Sequence, residues 1–455
     1  MIPLAPLFHP RVLQEHCLKF AYPQDLTDRF GLFWGQLVAA QASDNPLDKW
    51  QAIHDLFCGV LGYRSPFAEG DSWELDLTDR IFWGYFSPSI YQPQGEILVS
   101  SAPVPLIFPA SIDWLIVTDL NSIALYYREY GIVFSQVFQF AQLHDREQLE
   151  RFYALFCRRN LLGNPSQPRQ AKVYQLLELT EATEEELGQN FYRYCTQLYH
   201  NLTKDMHHRL AQLGVLTPQL DQQITRLLLH RLLIVQAFTD RGLLPPRLLQ
   251  DAYNFINPYV HQPVWVNFRA VFRWLDQGNR QQNISPLGIK FFQFNEILDR
   301  LIHIGDELCR QMKEVGQFNL QQDVHPVLLI FILQRIYHHK KLTLKRWRSH
   351  KLWQQATNTW NRLLNQLQNR SVTEMQQVKF YAPHPSIGVS LAVVFVLLQT
   401  LYGNASPPTI VQQLRSDDPE LPSLFFSLAF GQNLLPSNSI PGEREDQHLV
   451  YLDCG

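Results

Sequence analysis

One stretch constrains the fold more than any other: residues 226–246, RLLLHRLLIVQAFTDRGLLPP. Leu228, Leu229, Leu232, Leu233, Val235, Ala237 and Phe238 are too dense for the apolar stripe of a surface helix, yet His230, Arg231 and Gln236 interrupt them. The pattern predicts a core helix with one polar edge. Asp240-Arg241-Gly242 ends it, because Gly242 is free to take the left-handed conformation past the last turn and Pro245-Pro246 stop the helix from resuming.

A helix of this kind must be covered, and the chain has the material. Its 455 residues suffice for roughly two or three domains with sizeable cores, and 46% hydrophobic against 18% charged residues is a globular balance. The formal net charge of -3 gives no overall attraction to nucleic acid, so any DNA contact has to come from a local patch. Cys17, Cys58, Cys157, Cys195, Cys309 and Cys454 show no CxxC spacing, which points to reduced core thiols rather than a zinc site or a disulfide framework. The opening MIPLAPLFHP has no basic segment before an apolar core, so no signal peptide is expected. The most apolar run, residues 387–398, is far shorter than the roughly 20 residues a membrane span requires. The expectation is a cytoplasmic chain with no membrane partner and no metal-ligand set.

Residues 10–63 carry a helical period through Leu26, Phe30, Leu32, Phe33 and Leu37 and again through Trp50, Ile53, Leu56 and Phe57, and Gly59 to Tyr63 should close the second helix. An acidic cluster follows at Asp71, Glu74, Asp76 and Asp79, and Glu96 opens the strand-like GEILVSS. Two β-rich runs flank the Asp119-Leu120-Asn121-Ser122 turn over residues 111–127 and predict a hairpin, in which strand-end and turn roles account for Thr118 and Asp119. Phe134, Phe138 and Phe140 should extend the β region, residues 147–156 should form a closing helix, and LGNPSQP at 162–168 is the best linker.

Beyond the linker the character is helical. TEATEEEL predicts a helix opening at Thr180 with Thr180 or Thr183 as cap. His200, His207 and His208 lie along its continuation as surface or edge residues without a ligand set. Aromatics crowd residues 251–277, a density suited to core or interface. Then come SPLGIKFF, ILDRL, IGDEL and QFNLQQDV, followed by VLLIFIL ending in Gln334-Arg335. The strongly basic run is YHHKKLTLKRWRSHK, with Lys340, Lys341, Lys345, Arg346, Arg348 and Lys351 as candidates for phosphate contact, since clustered cations release counterions on binding nucleic acid. Two further fragments are Phe380-Tyr381-Ala382-Pro383 and the LVYLDCG of residues 449–455.

In this order the phrases resemble the type IIG-like restriction-modification enzymes, single chains with a nuclease region, a helical spacer and an adenine-specific DNA methyltransferase. The resemblance implies an α+β chain: a nuclease-like α/β domain over residues 1–160, a mostly α-helical spacer over 161–370, and the start of a methyltransferase domain over 371–455. It implies Asp76 and Glu96 as carboxylates for Mg2+ in the nuclease. The family's lysine two residues after the glutamate is replaced by Leu98, and no lysine or arginine lies between Arg80 and Arg128, so that site is degenerate. FYAP is similar to the F-Y-T-P phrase that helps hold S-adenosylmethionine, implying Phe380, Tyr381 and Pro383 as cofactor residues with Ala382 in the threonine's place. Residues 449–455 resemble the first cofactor motif, implying Asp453 and Gly455, without the glycines that should follow. No N-P-P-Y phrase for a flipped adenine occurs. The expected function is therefore the front portion of such an enzyme, without catalysis or S-adenosylmethionine binding of its own. It would contribute contacts to DNA or to a separate methyltransferase subunit. Two alternatives stay open: the product of an interrupted gene with no activity, and a metal-dependent endonuclease using Asp76 and Glu96 in an altered arrangement.

Overall fold

A computed structural model of the chain describes residues 5–43, 45–63, 81–85, 114–118, 120–162, 170–345, 347–349, 379–382, 414–416 and 449–451. After the short strand β1 (Ala5–Pro6), His9 caps α1 (Pro10–His16), its Nδ1 accepting the Arg11 N–H at 3.3 Å, with proline at the first helical position, where no N–H is missed. Helix α2 (Leu26–Ala42) buries Leu26, Phe30, Phe33, Leu37 and Ala40, one face at helical spacing. Helix α3 (Pro46–Asp55) widens into a π turn over Leu56–Val60, and Gly62, at φ 75°, ends it where the sequence predicts closure. Tyr63 then bonds across to the Phe156 carbonyl at 2.8 Å.

Strands β2 (Ile81–Tyr85), β3 (Trp114–Thr118), β4 (Ser122–Tyr127) and β5 (Phe134–Gln139) join β1 in a sheet of order β1-β5-β4-β3-β2. The β3–β4 and β4–β5 pairings are antiparallel and the two outer pairings parallel, so the sheet is mixed. The predicted hairpin is β3–β4. Thr118 Oγ1 donates to the Ser122 carbonyl at 2.8 Å and accepts the Leu120 N–H at 3.2 Å, a turn role, while Asp119 lies outside the described residues. Every residue of β4 is buried, as a strand covered on both faces requires. Helix α4 (Arg146–Phe156), capped by Asp145, and α5 (Arg158–Leu162) complete this region, and the expected linker falls almost wholly outside the described residues.

The next helix begins earlier than the sequence predicts. Helix α6 (Lys172–Gln212) runs 41 residues, so Thr180 and Thr183 are interior and cap nothing. Thr180 Oγ1 instead accepts the His9 N–H at 3.1 Å, and Glu184, inside the acidic run, is fully buried. The acidic turn mimics a helix start while one of its carboxylates faces an internal cation.

Helix α7 (Leu220–Asp240) is the predicted core helix, buried from Leu228 through Phe238 and terminated by Gly242 at φ 69°. It packs against α6 and α8 (Leu248–Asn254), and α9 (Val264–Gln277), α10 (Asp306–Lys313) and α11 (Pro326–Tyr337) complete the helical region. The polar residues that interrupt α7 are internal ties rather than a wet edge. Arg231, fully buried, bonds Asp299 Oδ1 at 2.6 Å and Oδ2 at 3.1 Å, and donates to the carbonyls of Phe291 and Gln293. His230 Nε2 meets Tyr337 Oη at 2.8 Å, and Asp240 accepts the Leu320 N–H at 2.7 Å. Three short parallel strands, β6 (Lys379–Ala382), β7 (Leu414–Ser416) and β8 (Leu449–Tyr451), form a second sheet of order β7-β6-β8. The architecture is mixed α+β and predominantly helical, with one apolar core continuous from Ala5 to Trp347.

Candidate functional site

The basic run does not form a single face. After α11, the segment 340–345 is extended, with Leu342 and Leu344 buried and Lys340, Lys341, Thr343 and Lys345 exposed. Leu344 occupies a notch on α6 opened by Gly188, where an added Cβ would lie 2.5 Å from Leu344 Cδ1. Tyr192 Oη donates to the Lys340 carbonyl at 3.3 Å and pins the segment's start. The result is a short row of lysines directed outward from an anchored backbone, which can meet phosphates without reordering. Arg346 and Lys351 lie outside the described residues.

Arg348 is a correction. Expected among the phosphate contacts, it is fully buried: Nε donates to Glu184 Oε2 at 2.7 Å, Nη2 to Glu184 Oε1 and to the Pro6 carbonyl, and Nη1 to the Leu7 carbonyl at 2.6 Å. Its guanidinium also lies 4.7 Å from the Phe134 ring centroid and 5.5 Å from that of Tyr130. A planar fork with several fixed donors suits this junction of carboxylate and carbonyls as lysine would not. Trp347 Nε1 donates to Glu184 at 3.0 Å. Burial alone would raise the Glu184 carboxyl, but the Arg348 charge, the bonds from Arg348 and the nearby His325 ring outweigh it and hold it well below the usual range.

The fragments at 379–382 and 449–451 meet at the second sheet. Phe380 and Tyr381 lie in β6, paired in parallel register with Val450 and Tyr451 of β8. The two strands therefore end side by side, and the chain leaves Ala382 and Tyr451 at the same edge. Strand β6 stands between β7 and β8, so the chain steps to one side of β6 and later crosses to the other. In open α/β sheets the carboxyl ends beside such a reversal are where ligands sit. Pro383, Asp453 and Gly455 lie beyond these ends and outside the described residues, as do the nuclease candidates Asp76 and Glu96.

Among the described residues no group of three or more His, Cys, Asp or Glu is arranged to hold a metal ion, and no helix is long and apolar enough to cross a membrane. Cys17, Cys157, Cys195 and Cys309 are buried free thiols and Cys58 is half-buried. Burial pushes the Cys17 and Cys309 thiols up to about 12, away from nucleophilic chemistry. His207 is exposed beside Asp221 at 3.0 Å, an edge position of the predicted kind. Within 251–277, Trp265, Phe268 and Phe272 are core, whereas Phe255 and Tyr259 are exposed.

Sequence reasoning passed over Glu184, His9 and His325, which Arg348 gathers into one buried polar cluster. The available signal was Arg348 beside Trp347 at the end of the Leu342–Leu344 alternation, where a cation follows the chain inward. Comparison with protein-family models, with curated proteins and with solved structures finds no match for this chain.

Proposed function

We propose that this chain works in DNA restriction-modification, as the front portion of a type IIG-like enzyme, contributing DNA contact rather than catalysis. The observation that carries the reading is the pairing of β6 with β8: two fragments some 70 residues apart, chosen from the sequence as pieces of one S-adenosylmethionine site, lie adjacent, parallel and in register. In the complete enzyme the residues at and after their carboxyl ends would hold the cofactor: Phe380 and Tyr381 of β6 with Pro383, and Asp453 with Gly455. The N-terminal mixed sheet fits the degenerate nuclease-like domain of the same reading, with Asp76 and Glu96 as its residual carboxylates and Mg2+ needed only if it cuts. Lys340, Lys341 and Lys345 supply a cationic row for the DNA backbone, and a methyltransferase is the protein partner.

The test is equilibrium binding of duplex DNA across a salt series. Each phosphate contact adds about 0.9 to the slope of log K against log salt, so neutralising the three lysines to glutamine should flatten the slope by about 2–3. Binding independent of salt, or a slope unchanged in the triple variant, refutes the DNA role.

A further inference from the structure

Four separate parts of the chain converge on one buried polar cluster: the segment before α1, α6, the N-terminus of α11, and residues 347–348. His9 and His325 are both buried, and each caps a helix with Nδ1, which accepts the Arg11 N–H at 3.3 Å and the Leu328 N–H at 3.4 Å respectively. Each ring therefore carries its one proton on Nε2. A second proton can enter only at Nδ1, where a backbone N–H already points.

Glu184 and Asp323 nearby favour the charged rings, but both carboxylates are already engaged elsewhere. Among the described residues, His9 Nε2, His325 Nε2 and Asp323 Oδ1 are buried without hydrogen-bond partners. His325 Nε2 lies 3.4 Å from Glu184 Oε1, close but not aligned for a bond. His9 faces Glu184 on α6, His325 at the head of α11 and Asp323 before it, while His325 faces Glu184 and Arg348. Glu184 is already engaged by Arg348 and Trp347, Asp323 by Arg11 at 2.6 Å, and Tyr130, beside Arg348, by Glu181 at 2.8 Å. Burial lowers both imidazoles, with Glu184 opposing it and a cation opposing Glu184 at His325.

We propose that His9 and His325 form a proton-operated latch, whose protonation on mild acidification detaches the N-terminal segment and residues 340–345 and 347–348 from α6. Protonating His9 ejects the Arg11 N–H and loosens the segment that gives Arg348 the carbonyls of Pro6 and Leu7. Protonating His325 ejects the Leu328 N–H and sets a second cation beside Arg348. Both events act on the same joint, so the two protons bind together. The latch stands independently of the DNA reading.

Hydrogen exchange followed by mass spectrometry on the full chain tests it, with rates corrected for the intrinsic effect of pH. From pH 7.5 to 5.5, opening that takes up two protons should lower protection of peptides covering 5–13 and 340–349 by about a hundredfold. Peptides from α9, remote from the cluster, should keep theirs. The variant His9→Asn/His325→Asn retains a capping acceptor but cannot titrate, and its protection should be level over this range. Unchanged protection in the wild type, or an equal fall in the double variant, overturns the latch. If the double variant is already open at pH 7.5, the single variants decide: each should show about a tenfold fall, and a full hundredfold fall in either overturns the proposal.

Discussion

Replacing Asp299 by leucine isolates the tie between the core helix and the phrase that follows it. Arg231 has no exposed side-chain surface and Asp299 only 14%. With charge centres about 4 Å apart and an effective dielectric of about 20, their attraction is about 4 kcal/mol. Removing both ions from water opposes it by a similar amount, so the pair adds little over a well-packed apolar pair, but either ion alone is uncompensated. Asp299→Leu leaves Arg231 with two carbonyls and also removes the acceptor of the Asn295 N–H. The expected loss is about 3–5 kcal/mol. Arg231→Met orphans the carbonyls of Phe291 and Gln293, at about 1–3 kcal/mol each. In the double variant the uncompensated ion disappears, so the two losses should fall short of additivity by about 1–3 kcal/mol. Urea unfolding followed by far-ultraviolet circular dichroism, with an unchanged m-value, measures all three. A loss below about 1 kcal/mol for Asp299→Leu, or strict additivity, would refute the argument.

Three further outcomes are expected. Gly188→Val should close the notch that holds Leu344, destabilise the protein by about 1–3 kcal/mol, and raise exchange in residues 341–345; Gly188→Ala should be far milder, because the blocking atom ends a flexible side chain. Asn267 donates to the carbonyls of Ala252 and Phe255, each at 3.0 Å, so Asn267→Ala should lower stability by about 2–4 kcal/mol and increase proteolysis of residues 255–263. Burial lowers His9 and His325 and, with Arg226, brings His230 down to about 3. Because the folded values lie below the unfolded value of about 6.5, the unfolded chain binds more protons in acid. The stabilisation is complete above that value and is lost as pH falls below it, at up to about 4 kcal/mol per pH unit while all three rings stay neutral. Equal unfolding midpoints at pH 7.5 and 5 would contradict this.

What could be read in the sequence is what local chemistry decides. Helix α7 was legible from apolar density and the Asp240-Arg241-Gly242 stop, and the β3–β4 hairpin from two β-rich runs around a turn, because neither signal depends on distant residues. The start of α6 was misread because Glu184 and its acidic neighbours look alike in sequence and differ only in what they face. Arg348 was grouped with the lysines for the same reason: the run is uniform in charge, but Leu342 and Leu344 turn the backbone against α6 and Trp347 follows them into the core. Of the candidate site, the pairing of β6 with β8 is long-range and was not legible, and the histidine caps had no local signature, since a capping histidine is defined by the backbone conformation after it.

The bonds from Arg348 to the carbonyls of Pro6 and Leu7 join residues 342 and 341 positions apart. Made at about 5–20 residues per second, the chain emerges for roughly 20–70 s after Leu7 before Arg348 exists to receive it. In the later part of that interval, once β5 and then Glu184 have been made, β1 has its strand neighbour but lacks its cation, and Glu184 is an acid awaiting a partner. Docking of Arg348 is thus a late closure between the two ends of the continuous core, with the high loop entropy of a distant contact. Newly made protein passes through an open form before it reaches the structure described above.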